Sequence, residues 1–182
     1  MTETDLIHRS RRGDPDAWET LTRLHQETVF RLAYLLLGDP DDAQDVAQEA
    51  FVRAYYALKR FDPQRPLRPW LLRIASNLAR NRRRSLGRYF AHLTRFAREP
   101  QAAAPAVPHD DSQTLWQAVR RLKPGFQQVL YMRFFLDMSE AEMAGSLEVA
   151  AGTVKSRLHR ALSALRDLIA RDYPHLQETF EP

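Results

Sequence analysis

Apolar residues recur at three- and four-residue intervals along almost the whole chain, and no stretch alternates like a half-buried strand, so the pattern predicts an all-α fold. Asp14 opens one predicted helix: its side chain can accept from the first free amides, and Pro15 sits in the opening turn. Trp18, Leu21, Leu24, Leu32 and Leu35 point this helix toward a core, and Gly38 ends it. Asp39 and Pro40 repeat the start signal. Ala43, Val46, Ala47, Ala50, Phe51, Ala54 and Leu58 then form a nearly unbroken inward stripe that finishes near Phe61. Three prolines between Pro63 and Pro69 predict a loop, after which Trp70 to Arg84 resumes helical spacing.

The pattern fades from about Gly87, and Glu99 to Asp111 is rich in alanine and proline. This predicts two small helical domains, residues 1–90 and 112–172, joined by a flexible linker at 91–111 and followed by a short tail at 173–182. In the second domain Leu115, Val119 and Leu122 mark one helix. Pro124 starts another, with Phe126, Val129, Leu130 and Phe134 on its inner face. Ser139-Glu140-Ala141-Glu142 has capping-box form and predicts a short helix that buries Met143, Ala144 and Leu147. A break at Glu148 to Gly152 separates it from a last helix. Val154, Leu158, Ala161, Leu162 and Leu165 form the buried stripe of that helix, and Lys155, Ser156, Arg157, His159 and Arg160 lie mostly outside it. Two short helices, a tight turn and a cationic outer face describe a helix-turn-helix that could read a major groove; an ordinary helical hairpin with a solvated basic face fits the same pattern.

Charge separates these readings further. Residues 1–62 carry a net −4, residues 63–98 carry ten arginines and no acid, and residues 99–182 carry −2. A 36-residue acid-free run suits a polyanion, although a solvated face or an anionic membrane surface would also accept it. The absence of cysteine excludes disulfides, thiolate metal sites and a cysteine nucleophile, and fits a reducing compartment. Met1 to Asp14 lacks the apolar core of a signal peptide, and the apolar run Leu32 to Leu37 is too short to span a bilayer, so the chain is expected in the cytoplasm without membrane insertion.

Two runs of residues carry a family resemblance. Gly152-Thr153-Val154-Lys155-Ser156-Arg157-Leu158-His159-Arg160-Ala161 resembles the region 4 signature of the extracytoplasmic-function (ECF) group of the sigma-70 family. Gly38-Asp39-Pro40-Asp41-Asp42-Ala43-Gln44-Asp45-Val46-Ala47-Gln48-Glu49-Ala50-Phe51 resembles region 2.2 of the same group. The segment Arg65 to Asn81 is similar to the promoter-opening segment. The resemblance implies a sigma factor with regions 2 and 4 only, which contacts the clamp and flap regions of core RNA polymerase and opens promoter DNA, without a cofactor and without catalysing a reaction. It implies that Asp45, Gln48 and Glu49 contact polymerase, that Lys155, Ser156, Arg157, His159 and Arg160 face the minus-thirty-five element, and that an anti-sigma protein restrains the chain. Two departures stand out: Glu148 occupies the position of a usual turn glycine, and Ala150 that of a common proline.

Helical geometry supports the opening role independently. At roughly 100° per residue, Leu71, Ile74 and Leu78 share one side, and Arg73, Asn77, Arg80 and Arg84 form a second stripe about 120° away, with Trp70 between. Arg65 and Arg68 lie in the preceding proline-rich segment. Tyr55, Tyr56, Phe61 and Trp70 are candidate platforms for unstacked bases, each equally suited to a core; Trp70 reads as mainly structural, and Asn77 with the loop as the better reader of a flipped base. A coil of about 25 residues averages roughly 25 to 30 Å and stretches to about 80 Å, so spanning promoter elements on the order of 50 Å apart requires a partly extended linker. Two other functions compete. A stand-alone helix-turn-helix regulator would bind duplex DNA without polymerase, but it has no need of the acid-free arginine run. A magnesium enzyme built on Asp41, Asp42, Asp45 and Glu49 lacks a histidine or a second carboxylate helix, and Asp41 and Asp42 serve a helix N-terminus without metal.

Overall fold

The computed structural model describes residues 2–94, 111–174 and 176. Among them every regular element is helical, as the periodicity predicts: α1 Glu3–Arg11, α2 Pro15–Leu37, α3 Pro40–Ala57, α4 Leu67–Thr94, α5 Asp111–Arg121, α6 Pro124–Leu130, α7 Glu140–Leu147 and α8 Ala151–Asp172. Most of the proposed linker and tail lies outside the described residues. No described helix is long and apolar enough to cross a membrane.

Helices α2, α3 and α4 pack side by side, and α1 closes one end of the bundle. The start signals act as read: Asp14 accepts from the amides of Asp16 at 3.1 Å and Ala17 at 3.2 Å, and Asp39 accepts from Asp42 at 2.8 Å. Gly38 ends α2 in the left-handed conformation, at φ +78°. All seven stripe residues of the second predicted helix, Ala43 through Leu58, are buried. Leu24 departs from the expected inward stripe and is 61% exposed. At roughly 100° per residue it falls about 60° to the side of Leu21, away from buried Val29 and Ala33.

Helix α1 was not foreseen, because only Leu6 and Ile7 are apolar within a charged run. Both are buried. A reciprocal capping box starts the helix, with Asp5 N donating to Thr2 Oγ1 at 3.1 Å and Thr2 N to Asp5 Oδ2 at 2.9 Å. Helix α4 also begins three residues earlier than the spacing suggests, at Leu67, with Pro69 inside its first turn, where a missing amide costs nothing. It runs beyond Gly87 to Thr94.

Helices α5 to α8 form the second unit, with α6 and α7 packed on α8. Helix α6 passes into a wide π-type turn at Tyr131–Phe135, closed by Leu136 N donating to Tyr131 O at 3.2 Å. The extra residue in that turn shifts the phase of the inward stripe, burying Tyr131 and Met132 and leaving Phe134 57% exposed instead of inside. Leu162, also expected inside, is partly exposed at the rim of the α8 stripe, whereas Val154 and Ala161 are fully buried. The two units are not held apart: α4 packs on α7, and one continuous apolar core runs through both.

Two changes test this packing by thermal unfolding. Leu32→Ala, at a fully buried position, is expected to cost about 2 to 5 kcal/mol. Asp14→Ala should lower the melting temperature by several degrees. The Arg9 guanidinium, then the Ala17 amide, hold the Asp14 carboxyl below its ordinary value. Its contribution is therefore complete above the unfolded carboxylate value of about 4 and is lost as pH falls through the lower folded value. The gap between wild type and variant should close in acid, and a gap that persists to about pH 2 would remove the carboxylate from the explanation.

Candidate functional site

Three surfaces hold the predicted residues. On α3, Asp45, Gln48 and Glu49 all face solvent, as their positions opposite the buried alanine stripe require. Glu49 pairs with Arg53 one turn on, at 2.6 Å. Arg82 of α4 reaches across to Asp42 at 2.7 Å and to Asp45 at 3.5 Å, fixing α3 against α4. The Asp42 side chain, then its charge, raises the Arg82 guanidinium further above its ordinary value. A cleft of about 590 Å³ runs beside these groups, lined by Asp45, Gln48, Glu49 and Val52 of α3 and by Asn81 and Arg82 of α4. Of the carboxylates weighed as metal ligands, Asp42 and Asp45 thus meet Arg82 and Glu49 meets Arg53, and no described cluster of three His, Asp or Glu could hold a metal ion.

The second surface is α4 with the loop before it. Its inward ridge is Leu67, Leu71, Leu72, Ala75 and Ala79, with Ile74 and Leu78 only partly covered, so the buried side is rotated slightly from the expected one. Asn77, Arg80 and Arg84 project outward, as expected, and make no hydrogen bond or ion pair among the described residues. Asp62 shapes the loop by accepting from Gln64 N at 3.0 Å, and Arg65 stands exposed 3.5 Å from the Asp62 carboxylate. Trp70 is half-buried, its ring 4.6 Å from that of buried Phe61, so it packs and lines a cleft at once. Tyr56 is the most exposed of the candidate platforms, at 80%.

That cleft, about 610 Å³, is walled by Arg65, Pro66, Trp70 and Arg73 and roofed by Ala141, Glu142 and Gly145 of α7. Arg68 pairs with Glu142 at 3.3 Å and donates to Leu136 O; Arg73 pairs with Glu148. Burial pushes the Glu142 carboxyl up, but the Ser139 amide and hydroxyl and the Arg68 guanidinium outweigh it and hold the group below its ordinary value. The sequence pattern offered no sign of these contacts across the two units. It also left out Glu3, whose carboxylate lies 2.9 Å from His25 Nε2 and accepts from Leu67 N at 3.3 Å, anchoring the start of α4.

The third surface is the helix-turn-helix. The Ser139–Glu142 capping box forms with both bonds, and the turn places Glu148 at φ +53°, where glycine is favoured. Ala150 opens α8 without a side-chain acceptor, so no side chain caps the amides of the first turn. Lys155, Ser156, His159 and Arg160 face solvent beside that end. Arg157 separates from them: it is half-buried and turns with Arg80, Arg83 and Arg84 into a cleft of about 540 Å³ whose other wall is Pro124, Gly125 and Gln128 of α6.

Known proteins share this arrangement. The Sigma-70 region 2 family model matches residues 21–89, and the Sigma-70, region 4 model matches residues 112–165. The chain is 32% identical over 173 residues to the ECF RNA polymerase sigma factor SigW of Bacillus subtilis, covering 88% of this chain and 92% of the relative. It is 30% identical to the RNA polymerase sigma-H factor of Pseudomonas aeruginosa, covering 90% and 91% of the two chains. CnrH, solved in complex with the cytosolic domain of CnrY, shares the fold at a TM-score of 0.70 and 24% identity, over 93% of this chain and 98% of that one. RpoE of Bartonella quintana, solved with the anti-sigma factor NepR, does so at 0.65 and 24%, over 85% and 97%. With both regions matched in order and a relative at this identity covered nearly end to end, the chain belongs to the ECF group of the sigma-70 family of RNA polymerase sigma factors.

Proposed function

We propose that this sigma factor divides initiation among the three surfaces. The exposed Asp45, Gln48 and Glu49 of α3 dock on the clamp of core RNA polymerase. The loop and α4, through Arg65, Arg68, Trp70, Arg73, Asn77, Arg80 and Arg84, hold the opened minus-ten strand. The outer face of α8, through Lys155, Ser156, His159 and Arg160, reads the minus-thirty-five element, and Arg157 joins them once it leaves the α4 cleft. In this scheme residues 1–90 and 112–172 act as the two readers, 91–111 as their tether and 173–182 as a tail, with the second reader beside the polymerase flap. Tethering makes the second DNA contact intramolecular.

The observation that carries the reading is α4. It exposes Asn77, Arg80 and Arg84 along its length, and near its start Trp70 and Arg73 line a cleft with Phe61, so one helix carries both the cations and the stacking surface that unpaired bases require. The uncapped start of α8 adds a helix N-terminus suited to a backbone phosphate. A stand-alone regulator leaves the arginine face of α4 without a task. The chain works by binding, catalyses nothing itself and needs no cofactor. It acts in the cytoplasm, where polymerase is, and an anti-sigma protein is a fitting restraint, since CnrH was solved with the cytosolic domain of CnrY and RpoE with the anti-sigma factor NepR.

Two comparisons test the division of labour. Arg80→Ala should reduce promoter opening about tenfold while core binding stays near wild type, and Asp45→Ala should do the reverse. Opening read by permanganate footprinting and core affinity read by fluorescence would contradict the scheme if both variants lost both equally. Arg160→Ala should cost about 1 to 3 kcal/mol at one position of the upstream element if it reads a base. A loss uniform across element sequences, measured by competition binding of holoenzyme, would reassign Arg160 to a phosphate.

A further inference from the structure

Several arginines in this chain are matched by carboxylates on other elements: Arg68 by Glu142, Arg73 by Glu148, and Arg82 by Asp42 and Asp45. The cleft of about 540 Å³ beside α4 breaks that pattern. Arg80, Arg83 and Arg84 of α4 line it with Arg157 of α8, and no acidic residue does. Arg80, Arg84 and Arg157 make no hydrogen bond or ion pair among the described residues. Arg83 meets a neutral partner, donating to Gln127 Oε1 at 3.2 Å. Gln127 Nε2 in turn donates to Arg120 O at 2.7 Å and Leu122 O at 2.8 Å, which fixes the amide with its oxygen toward Arg83. Four guanidinium groups around one concavity focus a positive field into it, and no lining group cancels the charge.

Two uncharged side chains add to this. Ser76 of α4 and Gln128 of α6 line the same cleft, each more than nine-tenths buried, and Ser76 Oγ and Gln128 Nε2 have no hydrogen-bond partner. A buried donor left unpaired is costly, so both atoms call for an acceptor that the chain itself does not supply. The rest of the lining is apolar or small, from Leu36, Ala79, Pro124 and Gly125. The volume lies within the range of about 300 to 1,000 Å³ usual for small-molecule pockets. A lone carboxylate would leave most of these cations unmatched. Two or three phosphoryl groups in a row offer oxygens to several guanidinium forks at once.

We propose that this cleft is a binding site for a small organic polyphosphate. Its phosphoryl groups lie on Arg80, Arg83, Arg84 and Arg157, Ser76 and Gln128 supply uncharged donors, and its organic body packs on Leu36, Ala79 and Pro124. The site stands whether or not α4 also holds a DNA strand.

Inorganic triphosphate is the probe for the phosphoryl part, titrated into the full chain by calorimetry at constant ionic strength without divalent cations. The expected result is one saturable site per chain and a melting temperature that rises with probe concentration. Arg157→Ala and, separately, Gln128→Leu should each weaken binding about tenfold. A Cβ at Gly125 meets nothing within 4 Å, so Gly125→Glu fits sterically and sets a carboxylate in the wall; it should abolish binding. Arg12→Ala removes an exposed cation outside the cleft and should leave affinity unchanged. Circular dichroism and melting without probe establish that each variant is folded. No saturable binding, wild-type affinity in Gly125→Glu, or equal weakening by Arg12→Ala and Arg157→Ala overturns the site. Strand phosphates carry the same chemistry, so a short single-stranded oligonucleotide is the competitor. Displacement of triphosphate only by excess oligonucleotide supports a free polyphosphate, and displacement at a lower phosphate concentration than the triphosphate itself needs identifies a strand as the occupant and overturns the proposal. Failure of the site leaves the promoter-opening role of α4 intact, because permanganate footprinting reads that role separately.

Discussion

Helix α4 carries seven arginines and no carboxylate over its 28 residues, so no partner one turn away within the helix can offset their mutual repulsion. Burial of Leu67, Leu71, Leu72, Ala75 and Ala79 keeps the helix in place despite that repulsion. The cations must then be satisfied from outside. Arg82 takes Asp42 and Asp45 from α3, Arg68 and Arg73 take Glu142 and Glu148 from the second unit, and Arg80 and Arg84 meet no partner among the described residues. The same deficit of negative charge therefore fixes α3 beside α4, draws the helix-turn-helix onto the cleft, and underlies the proposed role of the helix in holding nucleic acid.

Exposed ion pairs such as Arg73 with Glu148 contribute little on their own, because water and salt screen them. A carboxylate held on a half-exposed guanidinium can be replaced by a phosphate at small cost, whereas an apolar seam of the same extent would not distinguish DNA from any other competitor.

Much of this molecule was legible in its residues, for local reasons. The Asp14-Pro15 and Asp39-Pro40 starts, the Gly38 stop, the alanine-rich stripe of α3 and the Ser139 capping box each follow from chemistry within four residues of the feature. So do the outward positions of Asp45, Gln48, Asn77, Arg80, Lys155 and Arg160, which a helical wheel fixes once the apolar stripe is known. The misses have equally definite causes. Helix α1 rests on two apolar residues and a capping box inside a charged run. The π-type turn at Tyr131 changes the period and so exposes Phe134. Leu24 and Leu162 sit at the rims of wide stripes, where neighbours decide burial. The pairing of Arg68 with Glu142 joins residues far apart in the chain, and Arg157 turns to the arginine cleft only because the two units meet.

The central claim is that the chain gives core RNA polymerase its promoter choice through two tethered readers. The most direct measurement adds the purified chain to core enzyme and maps run-off transcripts from genomic fragments. The account predicts transcripts with discrete starts that require both components. Tight duplex binding by the chain alone, with no transcript that depends on it when core enzyme is present, would contradict the account.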